Sequence, residues 1–246
     1  MRLGITLWGF SLGNREAVDL AQRVEAAGFD NLFMVEGPLS NDGVTTVAMM
    51  AARTSRLLLG TNIANVYLRH PRMLGMAAVA IDEIAPGRLI LGLGPHNRTM
   101  ITQAGFMWRD PRAVLMETTG ALRDLFAGKP GPGPRHPRPA SHVIPIHWAA
   151  MALETCAAAG AHADGLMLYL NTPARYQRAV ARFRRGAAAA GREPPRPSPR
   201  PPLSTLLPPG IGAAPPAPRG VLLDHARRPH HPQTLAGRGD VRERGE

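Results

Sequence analysis

The residues from Leu57 to Asn97, LLLGTNIANVYLRHPRMLGMAAVAIDEIAPGRLILGLGPHN, constrain the fold more than any others in this chain. Leu57-Leu58-Leu59 is a continuous apolar run, the pattern of a parallel strand covered on both faces. Gly60 to Arg69 reads as a polar loop leaving that strand. Pro71 stands at a first helical position, where its fixed φ already suits a helix. Leu74, Ala77, Ala78, Ile81 and Ile84 then recur at helical spacing and make one apolar face, and Pro86-Gly87 ends the helix. Leu89 to Leu93 is a second apolar strand, closed by Gly94-Pro95-His96-Asn97. Two parallel strands joined by a helix put both carboxyl ends, and both outgoing loops, on one side of a sheet. Ligands of such folds bind there.

The same alternation runs through the rest of the body. Leu3 to Leu7 reads as a first strand, and Asn14 as the cap of a helix with Ala17, Leu20, Ala21 and Val24 inward. Leu32 to Val35 is a second strand with Glu36 at its carboxyl end, and Asp42 caps the helix that follows. Beyond Asn97, Asp110-Pro111 starts a helix that Gly128 ends, and residues 129–142 form a Pro/Gly/Arg-rich loop. Val143 to Trp148 is a fifth strand and Leu166 to Leu170 a sixth, each followed by a helix, the last opened by Thr172-Pro173. About six βα units in a row imply a parallel α/β sheet. Periodicity alone fits a doubly wound sheet or a (β/α)8 TIM barrel equally. From Pro194 onward prolines crowd together and the apolar period is lost, so 1–193 is expected to be the folded body and 194–246 a disordered Pro/Arg-rich tail. That text resembles a shifted reading frame, which implies a truncated or frameshifted C-terminus and an incomplete barrel.

A net charge of +11 raises nucleic acid as a partner, but Lys129 is the sole lysine and the arginines are scattered, with no basic stripe interleaved with aromatics. Nucleic acid is therefore not expected. Cys156 stands alone, which excludes an intrachain disulfide. No apolar run approaches the ~20 residues of a membrane span, so a soluble cytoplasmic protein is the expectation. His70, His96, His147 and His162 lie on different elements with no metal-ligand spacing, and no metal is expected. Gly92 to Asn97 lacks the third glycine of a dinucleotide loop, and no G-x-S-x-G elbow is present. Four polar residues fall just past predicted strands: Glu36, placed to serve as acid, base or ligand-binding carboxylate; Asn65, whose amide both donates and accepts; and His96 and Asn97. Asp82 and Glu83 read as solvated, or paired with Arg88, and Trp148 as pocket wall or core filler.

LGTNIANVYLRHP, followed by AIDEIAPGRLILGLGPHN, resembles the luciferase-like monooxygenase family of flavin-dependent oxidoreductases, which includes the coenzyme F-420 dependent reductases and dehydrogenases. EAAGFDNLFMVEG, AARTSRLLLG, IPIHWAA, AGAHADGLML and TPARYQRAVARFRRGAAAAGREP stand in family order, and the resemblance covers about residues 1–193. It implies a (β/α)8 barrel with FMN or coenzyme F-420 lying across the carboxyl ends of the strands. It also implies a non-proline cis bond at Asn62-Ile63. On this resemblance Asn62, Ile63 and Ala64 support the ring and Asn65 bonds its polar edge. Gly94, His96 and Asn97 line the same mouth, and Glu36 is the candidate catalytic group. The implied chemistry is hydride transfer with a small organic substrate, extended in FMN members to oxygenation by dioxygen. A homodimer is left open. The alternative is a non-catalytic remnant whose unclosed barrel holds little or no cofactor.

Overall fold

Several helix starts in this chain are set by short polar caps, three of them followed by proline. Asp42 Oδ1 accepts from the Thr45 N–H at 2.7 Å, Asp110 Oδ2 from Ala113 at 2.9 Å and Thr172 Oγ1 from Arg175 at 3.3 Å. Prolines occupy the first turn behind the caps His70, Asp110 and Thr172. The computed structural model describes residues 3–8, 12–38, 40–129, 138–169 and 171–192, all in one compact unit. The expected tail, 194–246, and the expected frameshift lie outside the described residues.

The elements alternate along the chain. They are β1 (Gly4–Trp8), α1 (Asn14–Ala26), β2 (Asn31–Val35), α2 (Gly43–Arg53), β3 (Leu58–Thr61), β4 (Ala64–Asn65) and α3 (Pro71–Ile84). Then follow β5 (Leu89–Gly94), α4 (Arg98–Gln103), α5 (Pro111–Phe126), β6 (Ile146–Ala149), α6 (Leu153–His162), β7 (Gly165–Met167) and α7 (Pro173–Ala189). Every strand pair is parallel, in the order β1-β2-β3-β5-β6-β7, with the two-residue β4 also beside β5.

The two sheet faces bury different partners. Leu32, Met34, Leu59, Leu91, Leu93, Ile146 and Trp148 pack with the apolar faces of α1, α2, α3, α5, α6 and α7 in one large core. Phe33, Leu58, Ile63, Ile90 and Met167 form a second, small cluster with Ala149 and with no helical residue. Helices therefore cover one face only, which is a barrel wall and not a doubly wound sheet. Six strands laid flat at ~4.8 Å spacing would set the outer two about 24 Å apart. Yet the ring of Trp8, on β1, meets that of Tyr169, just past β7, with centroids 6.0 Å apart. The sheet is thus curled around the small cluster, as in part of a (β/α)8 barrel.

Several local expectations are corrected. Asn14 is the first helical residue, not the cap; Gly13 is the cap, and its N–H donates to Glu16 Oε2 at 2.9 Å. Asn14 instead accepts from the Thr46 hydroxyl of α2. Asp82 is neither solvated nor paired with Arg88: at 1% exposure it accepts from the N–H groups of Gly87 and His142. Arg88 donates to the carbonyls of Ala51, Thr54 and Leu57, tying α2 to β3. Ile84 is 52% exposed, because it falls off the face shared by Leu74, Ala78 and Ile81. The fifth predicted strand shrinks to Ile146–Ala149 and the sixth to Gly165–Met167. The supposed polar loop after β3 contains buried β4, and α4 was not anticipated. Among the described residues no helix is long and apolar enough to cross a membrane.

Candidate active site

The carboxyl ends of β2, β3 and β5 converge on the segment Thr61–Asn65. Its Asn62-Ile63 peptide is cis, as the resemblance implied. The main chain is pinned to β2 from both sides of that bond: the Asn62 N–H donates to Met34 O at 2.8 Å, and Ile63 O accepts from the Glu36 N–H at 3.1 Å. The Asn62 side-chain amide reaches Thr6 Oγ1 on β1 at 3.3 Å. Ile63 joins the small cluster inside the curl, while Ala64 turns to the helix-side core. Gly94 makes room for Ile63, since a Cβ there would stand 2.9 Å from Ile63 Cγ1. The Val66 N–H donates to Gly94 O, continuing the parallel contact begun by β4.

Asn65 is fully buried. Its Oδ1 accepts from the Tyr67 N–H at 2.9 Å and its own N–H donates to Glu36 Oε2 at 3.1 Å, but Nδ2 has no partner. A buried donor left unpaired costs about 1–3 kcal/mol, so this amide is a group that an acceptor would satisfy. Glu36 is 3% exposed and both its oxygens are engaged, Oε2 by Asn65 and Oε1 by Arg69 Nε at 2.9 Å. Arg69 also pairs with Asp42, the cap of α2.

His96 follows β5 with φ 58°, in the left-handed region that a residue with a side chain seldom adopts. Its half-buried ring lies against Gly37, where a Cβ would stand 3.2 Å from Nε2. Burial lowers the His96 pKa, against a smaller opposing pull from Glu36, so the ring is neutral at pH 7. Asn97 is exposed, and its Oδ1 caps α4 by accepting from the Met100 N–H. Beyond them Tyr67 stacks on Trp108 at 4.9 Å and its hydroxyl donates to Arg109 O.

Deeper in the curl, His147 faces Gly165, is 5% exposed, and leaves Nδ1 without a partner. Burial pushes its pKa down to about 4. Trp148 is core and not pocket wall: its Nε1 donates to Thr119 Oγ1 on α5. Sequence reasoning missed Arg69 and His147. Arg69 was visible in YLRHP, but nothing local tells an arginine in a loop that its carboxylate lies 33 positions earlier. Chemically, the site offers amide groups and a neutral imidazole beside an apolar interior, with its buried carboxylate already paired. Among the described residues no three His, Cys, Asp or Glu side chains group to hold a metal.

A curled parallel sheet with polar groups gathered at its carboxyl end has the layout of a (β/α)8 barrel, whose ligands bind at that end. Residues 7–207 match the family model described as luciferase-like monooxygenase, and the chain belongs to that family. It is 29% identical to the 5,10-methylenetetrahydromethanopterin reductase of Methanolobus tindarius, over 65% of this chain and 52% of that one. It is 28% identical to the F420-dependent glucose-6-phosphate dehydrogenase of Nakamurella multipartita, over 52% of this chain and 42% of that one. The chain thus spans about half the length of these curated relatives. The solved coenzyme F420 dependent tetrahydromethanopterin reductase of Methanopyrus kandleri superposes with a TM-score of 0.70 at 22% identity, covering 78% of this chain and 62% of that one. That likeness supports the fold described above, part of a (β/α)8 barrel.

Proposed function

We propose that this chain belongs to an oxidoreductase that holds a flavin-type ring, coenzyme F-420 or FMN, at the carboxyl ends of β2, β3 and β5. The observation that carries this reading is the unpartnered amide donor of buried Asn65, in a chain of the luciferase-like family. When bound, the cofactor supplies hydride transfer to or from a small organic substrate, and with FMN also dioxygen chemistry. The chain's own share is placement. Asn65 Nδ2 donates to a ring acceptor, Asn62, Ile63 and Ala64 back the ring, and Gly94, His96 and Asn97 complete the mouth. Glu36, expected as an acid or base, enters as a positioning residue because both its oxygens are occupied. F-420 is the first ring to test, since the names of the dehydrogenase relative and the superposed reductase state it.

As assembly we propose a homodimer through the outer face of α3, where Met73, Met76, Ala80 and Ile84 form one exposed apolar stripe. We keep the folded body at 1–193.

Titrating F-420 and FMN into the protein, followed by ring fluorescence, tests the reading. One of them should bind saturably, and Asn65→Leu should weaken it about tenfold, the loss of ~1.4 kcal/mol. No saturable change with either ring up to ~1 mM overturns it and leaves the non-catalytic remnant as the better account.

A further inference from the structure

The segment carrying Asn62, Ile63 and Asn65 is fastened by an ion pair between buried Glu36 and half-buried Arg69 that no local pattern announces. Glu36 holds it at two points, through its main-chain N–H to Ile63 O and through Oε2 to the Asn65 N–H. Arg69 holds Glu36 in turn, with Nε and Nη2 both 2.9 Å from Oε1. Its guanidinium also reaches Asp42, so the pair is anchored to the first turn of α2. Gly43 leaves the space for this: a Cβ there would lie 2.8 Å from Glu36 Cβ.

We propose that Arg69 is a positioning residue for the ring-facing segment, acting through Glu36 to hold the Asn65 amide in place. The inference rests on the function proposed above. Stability alone is a poor reason for such a pair, because buried ion pairs often contribute no more than apolar side chains of the same volume. Its geometry does something apolar residues cannot. It fixes one oxygen of the carboxylate whose other oxygen receives the Asn65 N–H, and charge-assisted hydrogen bonds are the stronger and more directional ones. Arginine stays charged wherever the protein is folded, so the cation at Oε1 is permanent. Without it, Glu36 loses the group that fixes Oε1 and holds the segment more weakly. Among the described residues the charged or titratable groups facing Glu36 are Arg69, which also binds Asp42, and His96.

The test compares Arg69→Met, Glu36→Gln and the double variant in the full chain. Amide hydrogen exchange at Asn65, read by NMR without any ring, should quicken about tenfold in Arg69→Met relative to the wild type. In the double variant it should recover in part, because glutamine keeps an acceptor without a charge. Ring affinity should fall roughly 10- to 100-fold in Arg69→Met and recover in part in the double variant. Wild-type exchange at Asn65 in a folded Arg69→Met protein overturns the inference, whatever binds. Quickened exchange in a protein whose wild type binds neither ring upholds Arg69 as holder of the segment and sinks the cofactor reading instead. Should Arg69→Met not fold, Arg69→Lys carries the test: it keeps the charge and loses the fork, and unchanged exchange there overturns the inference equally.

Discussion

Acid should unload stability through His147. In the folded chain its imidazole titrates at about 4, because it sits inside the curled sheet at 5% exposure. In an unfolded chain a histidine titrates near ~6.5. Between those values the unfolded chain binds a proton that the folded one does not, so stability falls as the pH falls. The contribution is fully present above about pH 6.5 and is lost progressively down to about 4. The gap of about 2.5 pH units at ~1.36 kcal/mol each gives roughly 3 kcal/mol, a large share of the 5–15 kcal/mol that holds a typical domain. Urea unfolding followed by circular dichroism, at steps from about pH 7.5 to 4.5, measures it. His147→Leu has nearly the same volume and nothing to titrate, and it also removes the unpartnered Nδ1. The wild type should lose about 2.5 kcal/mol relative to this variant across that range, which stops just short of the folded pKa. Parallel pH profiles for the two proteins would refute the reasoning.

Two further substitutions test the packing around the site. Gly37→Ala puts a methyl 3.2 Å from His96 Nε2, so the ring should shift outward and its NMR-titrated pKa should rise toward the ordinary histidine value. Asp82→Ala strips the acceptor from the N–H groups of Gly87 and His142 and should lower stability by about 2–3 kcal/mol in a chemical melt, although the residue looks like surface in the sequence.

Much of the body was legible because its signals are local. Asp42, Asp110 and Thr172 cap helices as their positions suggested, and unbroken apolar runs such as Leu89–Leu93 are strands buried on both faces. The choice between barrel and doubly wound sheet was not legible in the periodicity and came from the family resemblance alone. It depends on whether helices return to one face or both, and helix periodicity is the same in either case. Asp82 misled because a carboxylate at a helix end is solvated or buried according to what the chain brings back to it, here His142. Asn62, Asn65 and His96 could be placed at strand ends from order alone. The partners that define them, Thr6, Glu36 and Gly37, lie on other strands or their exits and became visible only once those were side by side.

The meeting of Trp8 and Tyr169 has a bearing on how the chain folds. Residues 8 and 169 stand 161 positions apart, and they come from the two outer strands of the sheet. Their rings cannot touch until every strand between them has found its register and the whole has curled. Contacts this remote in sequence carry the full entropy of closing the chain and form after the local ones. The environment of Trp8 is therefore a clock for assembly: it changes last on folding and first when the seam between the outer strands opens.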